Sequence, residues 1–144
     1  MPSRSIRALA WLGDAEFELE VRRRLCDRGD FPSDRLDAMK AEVVCAERQA
    51  ALLAELEAED ALDDAERDLV RRARNADVGR RRGREQARTY RSATALEALV
   101  GHWRHAAGDA DERGDARFDA LLSSRIDRAI DEAVARRGTR LRRG

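Results

Sequence analysis

Apolar residues recur every three or four positions along nearly the whole chain, and that spacing confines it to helices. Ile6, Leu9/Ala10, Gly13, Phe17, Val21 and Leu25 form the first such series, the period at which side chains share one face of an α-helix. No stretch of useful length alternates in the two-residue manner of a strand. The expected class is all-α, a bundle of about five to seven helices.

The first helix is expected from about Ser5 to Arg28, with Ser5 as its N-cap and Gly29 as its stop. Phe31-Pro32-Ser33-Asp34 reads as a turn and cap. One further helical stretch carries Leu36, Met39, Val43/Val44, Ala50, Leu53 and Leu56. The acidic run 57–64 holds a break before a third helix, Ala65–Asn75, which Asp63 or Asp64 would cap favourably against the helix dipole. Residues 78–86, with Gly79 and Gly83 among arginines, read as a basic loop. A fourth helix, about Ala87–Ala107, buries Tyr90, Ala93, Leu96, Val100 and Trp103. Residues 108–114 read as a linker, and a fifth helix, about Ala116–Arg137, carries Phe118, Leu121/Leu122, Ile126, Ile130 and Val134. With 144 residues, the chain is expected to form one domain over 1–137, followed by a basic tail, 138–144, expected to be disordered.

Charged residues make up 40% of the chain, yet the net charge is zero, so no global field steers it toward nucleic acid. The charge is segregated instead. Residues 55–68 hold eight acids and one base, whereas 71–91 hold nine arginines against Asp77 and Glu85. Such asymmetry fits either a local anion-binding surface or an ordinary solvated face. Cys26 and Cys45 have no zinc-ligand spacing around them and are expected to be buried free thiols in a reducing cytoplasm. No apolar run reaches membrane-spanning length. The apolar stretch at Met1–Gly13 runs directly into the first helix pattern and reads as mature protein rather than a transit peptide.

Two acids interrupt the apolar pattern. Asp14 shares a helical face with Ala10, Phe17 and Val21; Glu97 shares one with Ala93, Val100 and Gly101. A carboxylate in such a setting costs on the order of several kcal/mol unless a cation or hydrogen bonds compensate it. Small residues surround both: Ala10, Gly13 and Ala15 near Asp14; Ala93, Ala95, Ala98 and Gly101 near Glu97. They would let the first and fourth helices approach closely. Two carboxylates facing one another there would suit a hard, oxygen-ligated ion such as Mg²⁺. Structural ion pairs with arginine are the other explanation, and these residues alone leave both open.

At these same residues the chain resembles Mini-ribonuclease III, the short bacterial branch of the ribonuclease III family without a separate double-stranded-RNA-binding domain. Leu12-Gly13-Asp14-Ala15 with Phe17-Glu18 and Val21-Arg22 resembles its first motif. Val44, Ala46, Gln49 and Ala50 resemble a helix that usually reads Val-Ser-Ala-Lys-x-Gln-Ala. Arg71-Arg72-x-Arg74-Asn75-Ala76 resembles an Arg-Gly-Arg-Asn-Ala segment, and Thr89-Tyr90-Arg91 with Thr94 to Gly101 resembles the Thr-Tyr-Arg and Phe-Glu-Ala-Leu-x-Gly segments. All four blocks stand in order from about Ile6 to Trp103.

The resemblance implies the ribonuclease III helical fold and an endoribonuclease. Asp14 and Glu97 fall on the catalytic, metal-binding positions, for Mg²⁺ with Mn²⁺ as a substitute. It further implies 5′-phosphate and 3′-hydroxyl products, double-stranded or structured RNA such as large-subunit ribosomal RNA precursors as substrate, a homodimer, a cytoplasmic setting and no organic cofactor. Arg71, Arg72, Arg74, Asn75, Arg80, Arg81, Arg82, Arg84, Arg88 and Arg91 would form the RNA-contacting surface. Glu18 and Thr94 would support the two acids from behind, with a structural part the expected one for Glu18. His102 and His105 are given no catalytic role and are expected at the surface or an interface.

The chain departs from the family pattern around the second helical stretch. It reads Leu36-Asp37-Ala38-Met39-Lys40-Ala41-Glu42, with Glu47 in place of the usual Lys, Arg82-Gly83-Arg84 in place of Pro-Lys-Asn, and Glu20 where an aromatic is usual. These acids would repel phosphate and put the ribosomal substrate in doubt more than hydrolysis itself. Two further functions compete: a non-catalytic RNA-binding or ribosome-assembly module on the same fold, and a helical protein–protein adaptor using the acidic segment.

Overall fold

The computed structural model describes residues 4–76, 83–105 and 111–138. Among them every regular element is helical. Helix α1 (Ile6–Arg28) begins as the sequence predicts: the Ser5 side chain accepts a hydrogen bond from the Ala8 amide at 3.1 Å, and Gly29 follows its last turn. It packs chiefly on α5 (Arg84–His105), and this pair forms the spine of the molecule.

The second helical stretch is two helices rather than one. Helix α2 (Ser33–Val44) and helix α3 (Ala46–Ala58) are separated at Cys45, whose backbone is extended. A single helix over this span would be about 39 Å long at 1.5 Å per residue. Straight, it would not bury Met39 and Val43 against α1 and the C-terminal helix while also burying Leu52, Leu53 and Leu56 against α5. The break lets each half turn its own apolar face inward.

Helix α4 (Asp64–Asn75) is closed by a capping box: Asp63 accepts from the Glu66 amide at 2.8 Å, and Glu66 accepts from the Asp63 amide at 2.9 Å. Helix α5 starts at Arg84, so Arg84 to Gln86, expected in a loop, are helical; of the rest of that basic loop, 78–82 lie outside the described residues. The expected linker falls partly outside them too, and its last part is helical: α6 (Asp111–Phe118) runs through a π-helical turn, Asp119–Ser123, into α7 (Ser124–Arg137). Phe118, Leu122, Ile126 and Ile130 are all buried at a strict spacing of four. That spacing is wider than the 3.6-residue α-turn, so a straight α-helix would rotate this stripe off the core; the wider π turn absorbs part of the drift. Of the basic tail, only Gly138 is described.

One contiguous core joins all these elements, from Phe17, Val21 and Leu25 through Leu96, Leu99, Val100 and Trp103 to Phe118 and Ile130. Full burial of each large side chain contributes about 1.5–3 kcal/mol. Against the expectation of two buried thiols, Leu25 takes the core position beside Cys26 and leaves that thiol exposed, and Cys45, at the junction of α2 and α3, is half-buried.

The acidic segment meets arginines from several parts of the chain. Arg125 reaches Glu55 and Glu59, Arg74 forks onto Glu57 at 2.6 and 2.7 Å, and Arg67 holds Asp60 and Asp64. The acidic segment is therefore largely neutralised within the fold. Glu42 of α2 is similarly bound by Arg136 and Arg137 at the end of α7. Burial pushes the Glu42 carboxyl up, but the two guanidinium groups outweigh it and hold it below the usual range.

Candidate active site

Two glycines make the site possible. A Cβ on Gly13 would stand 1.7 Å from the Glu97 carbonyl oxygen, and one on Gly101 would stand 2.0 Å from the Leu9 carbonyl oxygen. Backbones α1 and α5 thus touch where the sequence clusters its small residues, and the contact carries Asp14 to Glu97. The two carboxyl groups are within hydrogen-bonding reach of each other. Asp14 itself is exposed, not enclosed as the apolar pattern implied, because Gly13 takes the buried position and leaves its neighbour on the rim.

Glu97 is half-buried. Burial raises its carboxyl most, the hydrogen bond and negative charge of Asp14 raise it further, and a hydrogen bond from the Gln49 side chain opposes them; the net result is a pKa of about 8. Among the described residues no lysine or arginine pairs with Asp14 or Glu97, and no group of three or more histidine, cysteine or acidic side chains forms a cage for a metal. A pair of hard oxygen donors that repel one another fits a divalent ion that keeps most of its waters or shares oxygens with a substrate phosphate.

The other acids nearby are compensated. Glu18, one turn beyond Asp14, is held by Arg22 at 2.8 Å and Lys40 at 3.6 Å. Buried Glu20 is met by Arg23 at 2.7 Å and by Arg24 and Arg104 at 3.3 Å each. Thr94 is buried one turn before Glu97. His105 contacts Glu16 at 2.8 Å, and His102 lines a small groove with Asp63, Trp103 and Arg117.

The arginines divide into two groups. Arg71 and Arg72 are exposed, but both pair with Asp68, at 2.6 and 2.9 Å. Arg74 is committed to Glu57 and lies 3.4 Å from the Ser92 hydroxyl, while Asn75 beside it is exposed. Arg84 and Arg88 are exposed and Arg91 half-buried on the opening turns of α5, the helix that carries Glu97. Arg80, Arg81 and Arg82 lie outside the described residues. Gln49 is the member of the site that sequence reasoning passed over. Its signal was present: it is the one long polar side chain on the otherwise apolar inner face of α3, with Leu52, Leu53 and Leu56.

Residues 7–104 match the ribonuclease III domain family. The chain is 40% identical over 95 residues to the Mini-ribonuclease 3 of Desulfitobacterium hafniense (strain Y51), a match covering 66% of this chain and 59% of that protein. It is 33% identical over 95 residues to the Mini-ribonuclease 3 of Acholeplasma laidlawii (strain PG-8A), covering 66% and 75%. With the Mini-ribonuclease 3 of Staphylococcus aureus (strain NCTC 8325 / PS 47) it shares 30% identity over 118 residues, 82% of this chain and 84% of the other. The matched segment runs from the start of α1 to the end of α5 and so contains both Asp14 and Glu97. A helical core crossed at Gly13 and Gly101, with an acid from each side of the crossing, thus coincides with the matched region, and the chain belongs to the Mini-ribonuclease 3 branch of the ribonuclease III domain family.

Proposed function

We propose that this chain is a divalent-cation-dependent endoribonuclease that hydrolyses phosphodiester bonds in double-stranded or structured RNA. One observation carries the proposal: Asp14 and Glu97 face each other across the α1–α5 crossing with no cation of the protein between them. A folded protein gains nothing by holding two carboxylates together unless something positive binds there.

Asp14 and Glu97 would hold the ion, Mg²⁺ or in its place Mn²⁺. When bound, the ion supplies the positive charge that lowers the pKa of water and stabilises charge on the scissile phosphate. Glu97 must lose its proton to take part, and the approach of positive charge favours that loss. Arg84, Arg88 and Arg91 lie about 20 to 9 Å along α5 from Glu97 at 1.5 Å per residue, a reach suited to the phosphates flanking a cleavage point. Their planar guanidinium groups match phosphate oxygens. Attack by water on the phosphorus with the 3′-oxygen leaving would break the P–O3′ bond and, once that oxygen takes a proton, give a 5′-phosphate and a 3′-hydroxyl. Duplex RNA is read by shape, phosphates and 2′-hydroxyls, which needs no base-specific pocket. Precursors of large-subunit ribosomal RNA are the proposed substrate class, the whole segment 1–137 the proposed catalytic domain and the cytoplasm the proposed setting.

A homodimer completes the proposal. Trp11 and Leu19 are 77% and 50% exposed, two turns apart on the outer face of α1 with exposed Ala15 between them. Such an apolar stripe on a soluble helix calls for a partner, and a second copy would set two acid pairs on neighbouring helices. The adaptor alternative drew its support from the acidic segment, whose carboxylates are taken up by Arg67, Arg74, Arg117 and Arg125.

The test is incubation of the purified protein with long double-stranded RNA in Mg²⁺ or EDTA, beside Asp14→Asn. Cleavage that needs both Mg²⁺ and Asp14 is the expected result. Salt-sensitive duplex binding without cleavage under any divalent ion would replace the enzyme with an RNA-binding module.

A further inference from the structure

Arg74 stands in the last turn of α4, two residues after Arg72, and its place in the sequence groups it with Arg71 and Arg72 on the expected RNA-contacting surface. The fold spends it otherwise. Its guanidinium forks onto the Glu57 carboxylate of α3, Nη1 to Oε2 at 2.6 Å and Nη2 to Oε1 at 2.7 Å. This two-point geometry gives the stronger arginine–carboxylate pairs. Nε and Nη2 each also lie 3.4 Å from the Ser92 hydroxyl of α5. All three nitrogens are thus turned toward other helices. The Arg74 side chain is 34% exposed, against 64% for Arg71 and 52% for Arg72, so it is the least available of the three to a phosphate.

The place of Glu57 gives this pairing a consequence. Ser92 follows Arg91 directly and shares a helical face with Arg88, one turn earlier. A single guanidinium therefore separates the Glu57 carboxylate from the opening turns of α5, while Arg71 and Arg72 stand on the neighbouring turn of α4. Left bare, a carboxylate at that point would cancel part of the field these arginines offer to an RNA strand. We infer that Arg74 is a positioning residue that acts on RNA through Glu57: it holds and neutralises a carboxylate lying between the two groups of arginines, and it touches no phosphate itself.

The inference rests on the RNA reading of the proposed function, and the test separates the two. Binding of the full chain to a long RNA duplex is measured in EDTA, where the proposed cleavage is silent, for the native protein, Arg74→Gln, Glu57→Gln and the double variant, each scaled to its folded fraction. Arg74→Gln should bind about tenfold more weakly, a coupling of the size found within one hydrogen-bonded network. Glu57→Gln should bind at least as well as the native protein. The double variant should return to within about twofold of native, because the carboxylate that Arg74 neutralises is gone. A direct phosphate contact, or a purely structural role for the fork, would leave the double variant as weak as Arg74→Gln. That result overturns the inference, as does native binding in Arg74→Gln or weakened binding in Glu57→Gln. If Arg74→Gln does not fold, the double variant decides, since native-like affinity without the guanidinium supports the inference and weak binding overturns it. No duplex binding by the native protein overturns the RNA reading and the inference with it.

Discussion

Glu66 and Glu97 are both carboxylates drawn into the packing around α5, and they are treated in opposite ways. Glu66 is 2% exposed. Arg117 clasps it, the Trp103 indole donates at 2.7 Å, and the Asp63 amide donates at 2.9 Å. Burial raises its carboxyl, but these partners together outweigh burial and hold it below the usual range. Glu97 is less buried, yet its carboxyl is pushed up to about 8, by burial first and by Asp14 next. Burial alone does not distinguish a structural carboxylate from one kept ready for a ligand; what distinguishes them is whether the fold supplies the positive charge.

That difference can be broken most sharply at the acid pair. Glu97→Gln should reduce RNA cleavage by about a thousandfold or more, the loss of several kcal/mol of transition-state stabilisation. Above about pH 8 its melting temperature in EDTA should equal or exceed that of the native chain, because there the repulsion between two ionised carboxylates is relieved. Retained cleavage in a single-turnover assay would remove Glu97 from the reaction.

The converse holds at Glu66. Glu66→Ala strands Arg117 and the Trp103 indole and opens the α4 capping box, so urea unfolding should show a loss of about 3 kcal/mol. Cleavage per folded molecule should stay near native. A stability loss too small to measure would mean that the Arg117 pair merely offsets its own desolvation.

The two sites also predict opposite pH dependences. Glu97 has a folded pKa above the ordinary 4.5, so its favourable contribution is complete below about pH 4.5 and is lost as pH rises through about 8. Glu66 has a folded pKa below 4.5, so its contribution is present above about pH 4.5 and is lost as pH falls through the lower value. In EDTA, melting temperature should therefore decline between pH 5 and 8, and Glu97→Gln should flatten that decline. A native profile rising over this window would contradict the raised Glu97 carboxyl. The smallest effect is expected at Arg71 and Arg72, whose exposed pairing with Asp68 adds little. Replacing both with alanine should leave the melting temperature unchanged within error while lowering duplex-RNA affinity if that face contacts phosphate.

Much of the fold was written in local pattern. The 3.6-residue periodicity placed α1 to within a residue, and Ser5 and Asp63 marked their helix starts because a cap is a contact between residues three apart. The split of the second stretch at Cys45 was not legible, since Val43/Val44 and Ala46 continue the helical pattern across it. Only the competing demands of α5 and α7 on the two halves produce the break. The π turn had a faint signal in the strict four-residue spacing from Phe118 to Ile130. At the candidate site, Asp14 and Glu97 stood out because acids interrupt apolar faces, but Gln49 did not, because an uncharged residue at such a position is easily a satisfied core amide.

By itself the sequence determined the helices, the two acids and the small residues that allow close crossing, because each depends on neighbours within a turn or two. The tertiary structure decided which charges are free. Arg74, Arg117 and Arg125 lie 17, 51 and 70 residues from the acids they neutralise, and no local rule pairs them. Coulomb attraction acts through space rather than along the chain, so only the folded arrangement shows that Glu66 is met by a cation of the protein while Asp14 and Glu97 face each other.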